Sequence, residues 1–266
     1  MKPKVSPGDL YQLGKHRILC GDSEDAQTAR RIIGRRTVRM LFAGPPYFNQ
    51  RAYCSWDDYA SYLDSMKATL HACVRLLGPG SVVTWLIGRG SSEQKDHASY
   101  HSIMLEEHGL HFQDAIAWIK PGANYTIKRS CHIRMNGYYY PAFKWETLLV
   151  YRKPGRMPRM GSRERSYMSQ HHTDVWEIPW VTHQMRRFGH PSVCPTEIPR
   201  RCIMAYAKRN SFVLDPFGGF GSTLIAAEET GRSALLIERK AEYCEIAIRR
   251  WEEQTGGRAR LLSSRP

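Results

Sequence analysis

Short runs of apolar residues alternate with longer amphipathic segments through most of this 266-residue chain. Short apolar runs predict buried strands, and apolar residues that recur every three or four positions predict helices. Strands that alternate with helices at this pace favour an α/β fold with a mostly parallel sheet. The predicted strands are 16–20, 38–43, 81–87, 112–119, 146–151, 212–214 and 234–237, and the predicted helices are 24–34, 59–77, 92–108, 197–208, 224–230 and 242–254.

Three stretches depart from this alternation. Residues 1–16 are polar and basic, and we expect them to form an arm over the surface. Residues 152–188 are rich in arginine and lack apolar periodicity, which predicts an insertion or surface lobe that either is a solvated loop or contacts phosphate. The predicted organisation is one α/β domain built from 1–151 and 189–257, with the lobe between them and a tail over 258–266.

Composition adds an expected partner. Lys and Arg number 39 against 25 Asp and Glu, so the formal net charge is +14. This excess favours a polyanion such as nucleic acid, and a soluble protein that is merely basic is the alternative. Seven cysteines without a CxxC pair predict reduced thiols rather than a structural zinc or disulfide framework. The same cysteine spacing predicts that the protein holds no metal. With no signal peptide or long apolar run, we expect a cytoplasmic protein that does not span a membrane.

The segment 212–238, FVLDPFGGFGSTLIAAEETGRSALLIE, has the layout of a nucleotide-binding strand, glycine-rich turn, helix and strand. Glycines in such a turn let the backbone approach a ligand closely, and Glu238 at the second strand end can accept both ribose hydroxyls. Asp215 at the first strand end suits an ammonium beside a sulfonium better than a pyrophosphate. A P-loop is excluded because no Gly-Lys-Ser/Thr follows, and a purely structural turn is the alternative.

A second motif, LFAGPPYFNQ at 41–50, ends a buried strand abruptly. Two prolines after Gly44 stop the strand and fix a stiff turn. Tyr47 then stands just past the strand end, where an open α/β sheet binds its ligands. We call the segment Gly44, Pro45, Pro46 and Tyr47 the aromatic lip.

Five short stretches carry a family resemblance: GPPY, and then LDPFGGFGST, AAEETGR, IE and YCEIAIRRW toward the C-terminus. They resemble the amino-group DNA methyltransferases, which methylate adenine N6 or cytosine N4. The resemblance covers about residues 8–257 except 152–188, and GPPY before DPFGG is similar to the permuted, β-type order. It implies a Rossmann-like S-adenosylmethionine-dependent methyltransferase fold, with residues 152–188 as a small target-recognition insertion. It also implies S-adenosyl-L-methionine as cofactor, S-adenosyl-L-homocysteine as product, double-stranded DNA as partner and a prokaryotic or phage source. Similar enzymes dimerise, although no apolar stripe demonstrates a homodimer here.

The resemblance assigns the cofactor-binding positions. It places Glu238 on the ribose hydroxyls and Asp22 beside the adenine, where a plain turn aspartate is the alternative. It places the other contacts on the methionine part and in a loop that closes over the cofactor. The complete set is Asp22, Asp215, Phe217, Gly219, Glu238, His190, Pro191 and Ser192.

The resemblance also gives the aromatic lip a catalytic role. Acceptors on the two N–H bonds of an exocyclic amine draw its nitrogen toward sp³ and offset the charge that develops during methyl transfer. In the DPPY form of the motif these acceptors are the Asp carboxylate and the first proline carbonyl, while Tyr47 would stack on a base flipped out of the duplex. Phe48 and Trp56 could add stacking, but packing is the favoured interpretation for Trp56.

Gly44 departs from that pattern because it offers neither a carboxylate nor a hydroxyl. Losing one such acceptor typically costs ~10²–10³-fold in rate. The chain is therefore an inactivated form, a natural member that binds without efficient turnover, or an enzyme in which another group substitutes, with Asp57 and Asp58 as weak candidates. Adenine N6 is the favoured target from the wording of the C-terminal motifs. Cytosine N4, and a protein that binds DNA and cofactor with little turnover, remain alternatives.

Two basic stretches are candidates for DNA contact. Residues 120–146 interleave basic and aromatic side chains, which suits phosphates and an unstacked base, although a tyrosine-rich structural loop is the alternative. The predicted lobe at 152–188 is the expected place for sequence recognition. The predicted contacts are Lys128, Arg129, Arg134, Arg159, Arg163, Arg165 and Arg186.

Overall fold

The computed structural model describes residues 4–49, 55–88, 95–121, 144–181 and 193–264. Within these ranges ten strands form one sheet in the order β10-β1-β2-β9-β8-β3-β4-β6-β5-β7. The strands are β1 Leu10–Leu13, β2 His16–Cys20, β3 Val38–Ala43, β4 Leu77–Ile87, β5 His111–Ile119, β6 Trp145–Arg152, β7 Val175–Glu177, β8 Phe212–Asp215, β9 Ser233–Glu238 and β10 Arg260–Ser263. The helices are α1 Ala26–Ile33, α2 Tyr59–Val74, α3 His97–Glu107, α4 Ser162–Met168, α5 Glu197–Tyr206, α6 Ser222–Thr230 and α7 Ala241–Thr255.

The centre of the sheet is parallel. Strands β2, β9, β8, β3 and β4 run in one direction, and β6 is antiparallel to both β4 and β5. The mixed, mostly parallel α/β sheet predicted from the sequence is confirmed.

Helices cover both faces of this centre, as a parallel sheet requires. Along β3, Met40 and Phe42 pack in the cluster that includes α5, α6 and α7, whereas Leu41 and Ala43 pack in the cluster that includes α1, α2 and α3. The four residues are buried, which explains why 40–43 form a continuous apolar run rather than an alternating one.

The parallel arrangement brings distant positions to one edge of the sheet. Gly21, Gly44, Asp215 and Glu238 stand at or just past the carboxyl ends of β2, β3, β8 and β9. Glu146 joins them because β6 is antiparallel to β4 and therefore starts at this same edge. We call this edge the carboxyl edge.

The two ends of the chain differ from expectation. In place of an arm, residues 10–13 form β1, with Leu10 and Leu13 buried. In place of a tail, β10 pairs antiparallel with β1, with Leu10 opposite Ser263. Each of these strands has four residues, too few to give a recognisable period against the polar residues that surround them.

The described part of 152–188 also differs from a separate lobe. Strand β7 pairs parallel with β5 at the end of the main sheet. Trp176 and Ile178 are buried in the same core cluster as α5. A buried ion pair joins Glu164 of α4 to Arg232, at 2.8 Å. Residues 152–181 are thus packed against the α/β domain, and the part of the segment 152–188 in DNA recognition stays a prediction.

None of the described helices combines the length and apolar composition needed to cross a membrane.

Candidate functional site

Asp215 is a buried carboxylate at the end of β8. Its oxygens accept hydrogen bonds from the backbone N–H of Phe217, at 3.0 Å, and from the Thr223 hydroxyl, at 2.6 Å. Burial raises the pKa of Asp215 to about 6, although both hydrogen bonds oppose the shift. The fold therefore holds an acid with unused acceptor capacity in a place where a cationic ligand group would favour its ionised form.

Glu238, at the end of the neighbouring strand β9, is a second buried carboxylate. It accepts hydrogen bonds from the backbone N–H groups of Gly219, at 2.7 Å, and Lys240, at 2.8 Å. Burial raises its pKa to about 7, and the nearby charge of Asp215 acts in the same direction. Each carboxylate oxygen can accept more than one hydrogen bond, so both remain able to receive ligand hydroxyls.

The glycine-rich turn between these two acids is closely packed. Gly221 has φ +77° and directly precedes α6 as its N-cap residue, and a Cβ there would lie 2.9 Å from the Cβ of Ala247 in α7. The Phe217 ring meets the Trp85 ring edge-on, with ring centroids 6.0 Å apart. Glycine is thus required where the turn enters its helix, while Phe217 stays half-buried at the surface of the turn.

Asp22 lies just past the end of β2, which is the neighbour of β9. It is half-exposed, accepts a hydrogen bond from the Glu24 N–H at 3.0 Å, and pairs with Arg239 at 3.1 Å. Because Arg239 directly follows Glu238, this ion pair brings Asp22 next to the glycine-rich motif. The hydrogen bond from Glu24 is the contact that a plain turn aspartate would also make.

The aromatic lip follows β3 on the other side of β8. A Cβ built on Gly44 would have no atom of the described residues within 4 Å, so their packing does not require glycine there. The Tyr47 ring lies against Gly88 at the end of β4, where an added Cβ would stand 2.6 Å from Tyr47 Cε2. The Tyr47 hydroxyl donates a hydrogen bond to Glu146 Oε2, at 2.7 Å, and both burial and this carboxylate raise the pKa of Tyr47 well above its usual range.

Glu146 was not predicted as a site residue. Its other oxygen forms an ion pair with Lys120 Nζ, and both side chains are nearly buried. The Lys120 ammonium also lies over two indole rings, 4.5 Å from the centroid of Trp118 and 4.8 Å from that of Trp180. Lys120 and Glu146 are far apart in sequence and meet only because β5 pairs with β6, so no local motif signals the pair.

Other aromatic and acidic residues near the lip have structural roles. Phe48 is buried and packs against Tyr59 and Tyr62. Trp56 meets Tyr62 edge-on at 5.0 Å, so the described contact of Trp56 is one of packing, as favoured. Asp58 caps α2 by accepting from the Ser61 N–H at 2.7 Å, which makes it a poor substitute for the side chain missing at Gly44.

Cys194 links the two halves of the site. Its carbonyl accepts a hydrogen bond from the Ser222 hydroxyl at the start of α6, at 2.6 Å. Burial raises the pKa of its thiol, and the charges of Glu146 and Asp215 raise it further. The lip side and the cofactor side thus lie within electrostatic range of one thiol.

Three of the predicted DNA-binding arginines do not lie near Asp215 and Glu238. Other predicted site residues lie outside the described ranges. Arg159, Arg163 and Arg165 are exposed, and the Glu164–Arg232 pair holds α4 close to the start of β9, away from the carboxyl edge. The predicted residues outside the described ranges are Lys128, Arg129, Arg134, Arg186, His190, Pro191 and Ser192. The described residues contain no group of three or more His, Cys, Asp or Glu side chains placed to hold a metal ion.

The chain is similar along most of its length to curated methyltransferases. It is 24% identical to the type II beta methyltransferase M.BslI of Bacillus sp. (strain NEB-606) over 92% of this chain, although it spans only 29% of that protein. It is 22% identical to the orphan methyltransferase M.BamHII of Bacillus amyloliquefaciens, over 82% of this chain and 90% of that protein. It is 24% identical to the type II methyltransferase M.HpaI of Haemophilus parainfluenzae, over 91% of this chain and 76% of that protein.

Solved structures share the fold. The protein TTHA0409 of Thermus thermophilus, complexed with S-adenosyl-L-methionine, superposes with a TM-score of 0.69 at 22% identity, covering 92% of this chain and 98% of its own. The PvuII DNA methyltransferase, which is cytosine-N4-specific, superposes with a TM-score of 0.68 at 17% identity, covering 87% of each chain.

The family resemblance proposed from the sequence motifs is confirmed by a family model described as DNA methylase (N6_N4_Mtase), which matches residues 38–249. This span is more than half of the chain and contains both the aromatic lip and the glycine-rich turn. The chain therefore belongs to the N6/N4 DNA methylase family.

Proposed function

We propose that this protein transfers a methyl group from S-adenosyl-L-methionine to the exocyclic amine of a base flipped out of double-stranded DNA. One observation carries the proposal: a pair of buried acids and an aromatic lip stand along the same carboxyl edge of one parallel sheet. A sheet edge of this kind is where open α/β folds bind ligands. It would hold a methyl donor and its acceptor side by side.

The cofactor-binding side is supported by the chemistry of its acids. Asp215 would face the ammonium of the methionine part, with Phe217 and Gly219 lining it, and Glu238 would accept the ribose hydroxyls. Asp22, beside Glu238, would lie at the adenine. His190, Pro191 and Ser192 complete the proposed set from the resemblance. When bound, S-adenosyl-L-methionine supplies a methyl group activated by a sulfonium.

The target side would be formed by the lip. The Pro45 carbonyl would accept one N–H of the amine, and the Tyr47 ring would stack on the flipped base. Gly44 supplies no second acceptor, so turnover depends on whether another group does. Pro46 would fix the turn that presents both neighbours.

DNA would be held by the excess positive charge of the chain. The proposed phosphate contacts are Lys128, Arg129, Arg134, Arg159, Arg163, Arg165 and Arg186. Adenine N6 is the first proposed target, as the wording of the C-terminal motifs favours. Cytosine N4 is the second, because the PvuII enzyme of the same fold is cytosine-N4-specific.

The experiment is transfer of a tritiated methyl group to mixed-sequence DNA, followed by identification of the methylated nucleoside. The unmodified chain is compared with Gly44→Asp and Gly44→Ser, which add an acceptor, and with Gly44→Ala as the matched control. The described residues leave space around the Gly44 Cα for all three side chains. We expect N6-methyladenine, with Gly44→Asp at least as fast as the unmodified chain and Gly44→Ala no faster.

Three results would change the proposal. N4-methylcytosine would move the target to cytosine. A product with only the substituted forms would assign the unmodified chain to DNA and cofactor binding with little turnover. No methylated nucleoside from any variant would contradict the proposed reaction.

A further inference from the structure

We infer that Glu146 supplies the second acceptor for the exocyclic amine, in place of the side chain missing at Gly44. The inference rests on the proposed function and adds a catalytic residue to it. It also selects one of the three interpretations of Gly44, namely substitution by another group.

The sheet places Glu146 on the target side of the site. In the antiparallel pairing of β4 and β6, Ile87 lies opposite Thr147. One step further along, Gly88 and Glu146 therefore face each other at the carboxyl edge. The Tyr47 ring lies against Gly88, and its hydroxyl donates a hydrogen bond to Glu146 Oε2. The carboxylate therefore lies beside the edge of the tyrosine ring that is proposed to stack on the base.

The spacing suits an amine held between two acceptors. Strands β3 and β6 are separated by β4, which puts them about 10 Å apart. Two acceptors on one NH₂ group, each about 2.9 Å from the nitrogen, stand about 5 Å apart. In the inferred arrangement the Glu146 side chain extends toward β3, where its carboxylate already reaches the Tyr47 hydroxyl at 2.7 Å, and the Pro45 carbonyl supplies the other acceptor.

Glu146 also has acceptor capacity to spare. Each oxygen has one described partner, Lys120 for Oε1 and Tyr47 for Oε2, and each can accept another hydrogen bond. The Lys120 ammonium forms an ion pair with this nearly buried carboxylate. Asp58, by contrast, is exposed and is committed to the cap of α2.

In the reaction, the amine lone pair forms the new N–C bond, and the electron pair of the broken C–S bond stays with sulfur. A hydrogen bond from the amine to Glu146 withdraws the lone pair from the ring before transfer. The nitrogen then loses one proton along this hydrogen bond to the carboxylate, which passes it to water.

The test is a double-mutant cycle between Glu146→Gln and Gly44→Asp, measured as single-turnover methyl transfer at saturating cofactor and DNA. In the unmodified chain Glu146→Gln should slow transfer ~10²–10³-fold, the usual loss for one preorganised partner. In the Gly44→Asp background the same change should cost less than ~10-fold, because the new carboxylate takes over. Cofactor affinity by calorimetry should be equal in all four proteins, which also verifies their folding.

Tyr47→Phe separates an acceptor from a positioning residue. This change removes the described hydrogen bond to Glu146 but keeps the ring. If Glu146 only positions Tyr47, Tyr47→Phe should slow transfer as much as Glu146→Gln does. We expect a loss of less than ~10-fold. Should Glu146→Gln fail to fold, Glu146→Asp keeps the charge opposite Lys120 and should give an intermediate loss that Gly44→Asp again reduces.

Equal losses from Glu146→Gln in both backgrounds, or equal losses from Glu146→Gln and Tyr47→Phe, would overturn the inference. Activity in Gly44→Asp but not in the unmodified chain would also overturn it, while leaving the proposed reaction intact. No transfer by any variant would contradict the proposed reaction itself, and this inference with it.

Discussion

The two sides of the carboxyl edge differ in how completely they are built. On the cofactor side, Asp215 and Glu238 each have two described hydrogen-bond donors. Phe217 in the turn after β8 and Thr223 in α6 donate to Asp215, whereas Gly219 of that same turn and Lys240 after β9 donate to Glu238. On the target side, the lip carries an empty position at Gly44, and Tyr47 is held by residues from other strands. The cofactor side is encoded locally, whereas the target side depends on pairing between distant strands.

This difference makes the two sides separable by mutation. The acids on the cofactor side should govern affinity for the methyl donor, because their charges face the proposed donor site. The aromatic and acidic groups on the target side should govern the rate of transfer, because they face the acceptor amine. A variant that changed both properties equally would contradict this division of labour.

The largest expected effect is on the target side. Tyr47→Ala should lower kcat at least ~100-fold, because it removes the stacking surface, worth ~1–3 kcal/mol per base, and also the hydrogen bond to Glu146. Cofactor affinity measured by calorimetry should change less than ~2-fold. Comparable losses of turnover and cofactor affinity would move Tyr47 out of the target side.

The next effect is on the cofactor side. Asp215→Asn should weaken S-adenosyl-L-methionine binding ~10–100-fold, because a hydrogen bond to a charged group contributes ~1.5–3 kcal/mol. Glu238→Gln should weaken binding by ~10-fold, since the ribose hydroxyls carry no charge.

Asp22→Asn, at the half-exposed turn, is the matched comparison. It should weaken S-adenosyl-L-methionine binding less than either of the other two substitutions. Unchanged affinity in the Asp215 variant would remove that residue from the cofactor site.

A smaller effect concerns pH. The pKa values of Asp215 and Glu238 are raised to about 6 and about 7, so both acids gain protons as pH falls through this range. Affinity for the cationic cofactor should fall with them, by ~10-fold per pH unit below about 6 for the Asp215 contribution. Titration calorimetry between pH 8 and pH 5 measures this slope, and Asp215→Asn should flatten it.

The same two acids should also make the free energy of unfolding of the cofactor-free protein depend on pH. This free energy should fall as pH rises, whereas the affinity for the cofactor should rise. Between their usual pKa values near 4 and the raised values, the folded chain holds protons that the unfolded chain has released. Their contribution to the free energy of unfolding therefore falls as pH rises from about 4 to about 7. Urea denaturation of Asp215→Asn and the unmodified chain at pH 5 and pH 7.5 isolates this contribution, and an opposite sign would contradict the raised pKa of Asp215.

The smallest expected effect is that of the exposed arginines. Replacing Arg163 and Arg165 with alanine should reduce the slope of log affinity for DNA against log salt by about 1 for each phosphate that the protein no longer neutralises. Transfer at low salt should remain nearly unchanged, because α4 lies away from the carboxyl edge. An unchanged slope would show that DNA follows another path across the protein.

The predictable part of the molecule is the part whose signals are local. Strands β2 and β3 were predicted with the bounds that the structure gives, since each contains a buried apolar run, at 18–20 and at 40–43. Asp215 and Glu238 were predicted to end neighbouring strands of one βαβ unit, and they do. In such a unit, chain order almost determines spatial order, so the sequence is sufficient.

The unpredicted part depends on pairing over long distances. The strands β1, β7 and β10 have three or four residues each and are recognisable only by the neighbours that they join. In the sequence, Glu146 stands out only as the first residue of a predicted strand and the last residue of a basic stretch. Its contacts with Tyr47 and Lys120 follow from the registers of β4, β5 and β6, which no single stretch of the sequence specifies.

The pairing of β1 with β10 has one further consequence. Leu10 stands opposite Ser263, so β1 and β10, the first and last described strands along the chain, lie side by side. A short linker between them would turn the chain into a ring that could be reopened in a different surface loop without changing a single contact in the sheet. The linear order of the lip and the glycine-rich turn is therefore a matter of where the ring is cut. Circular permutation should interchange that order while preserving the site.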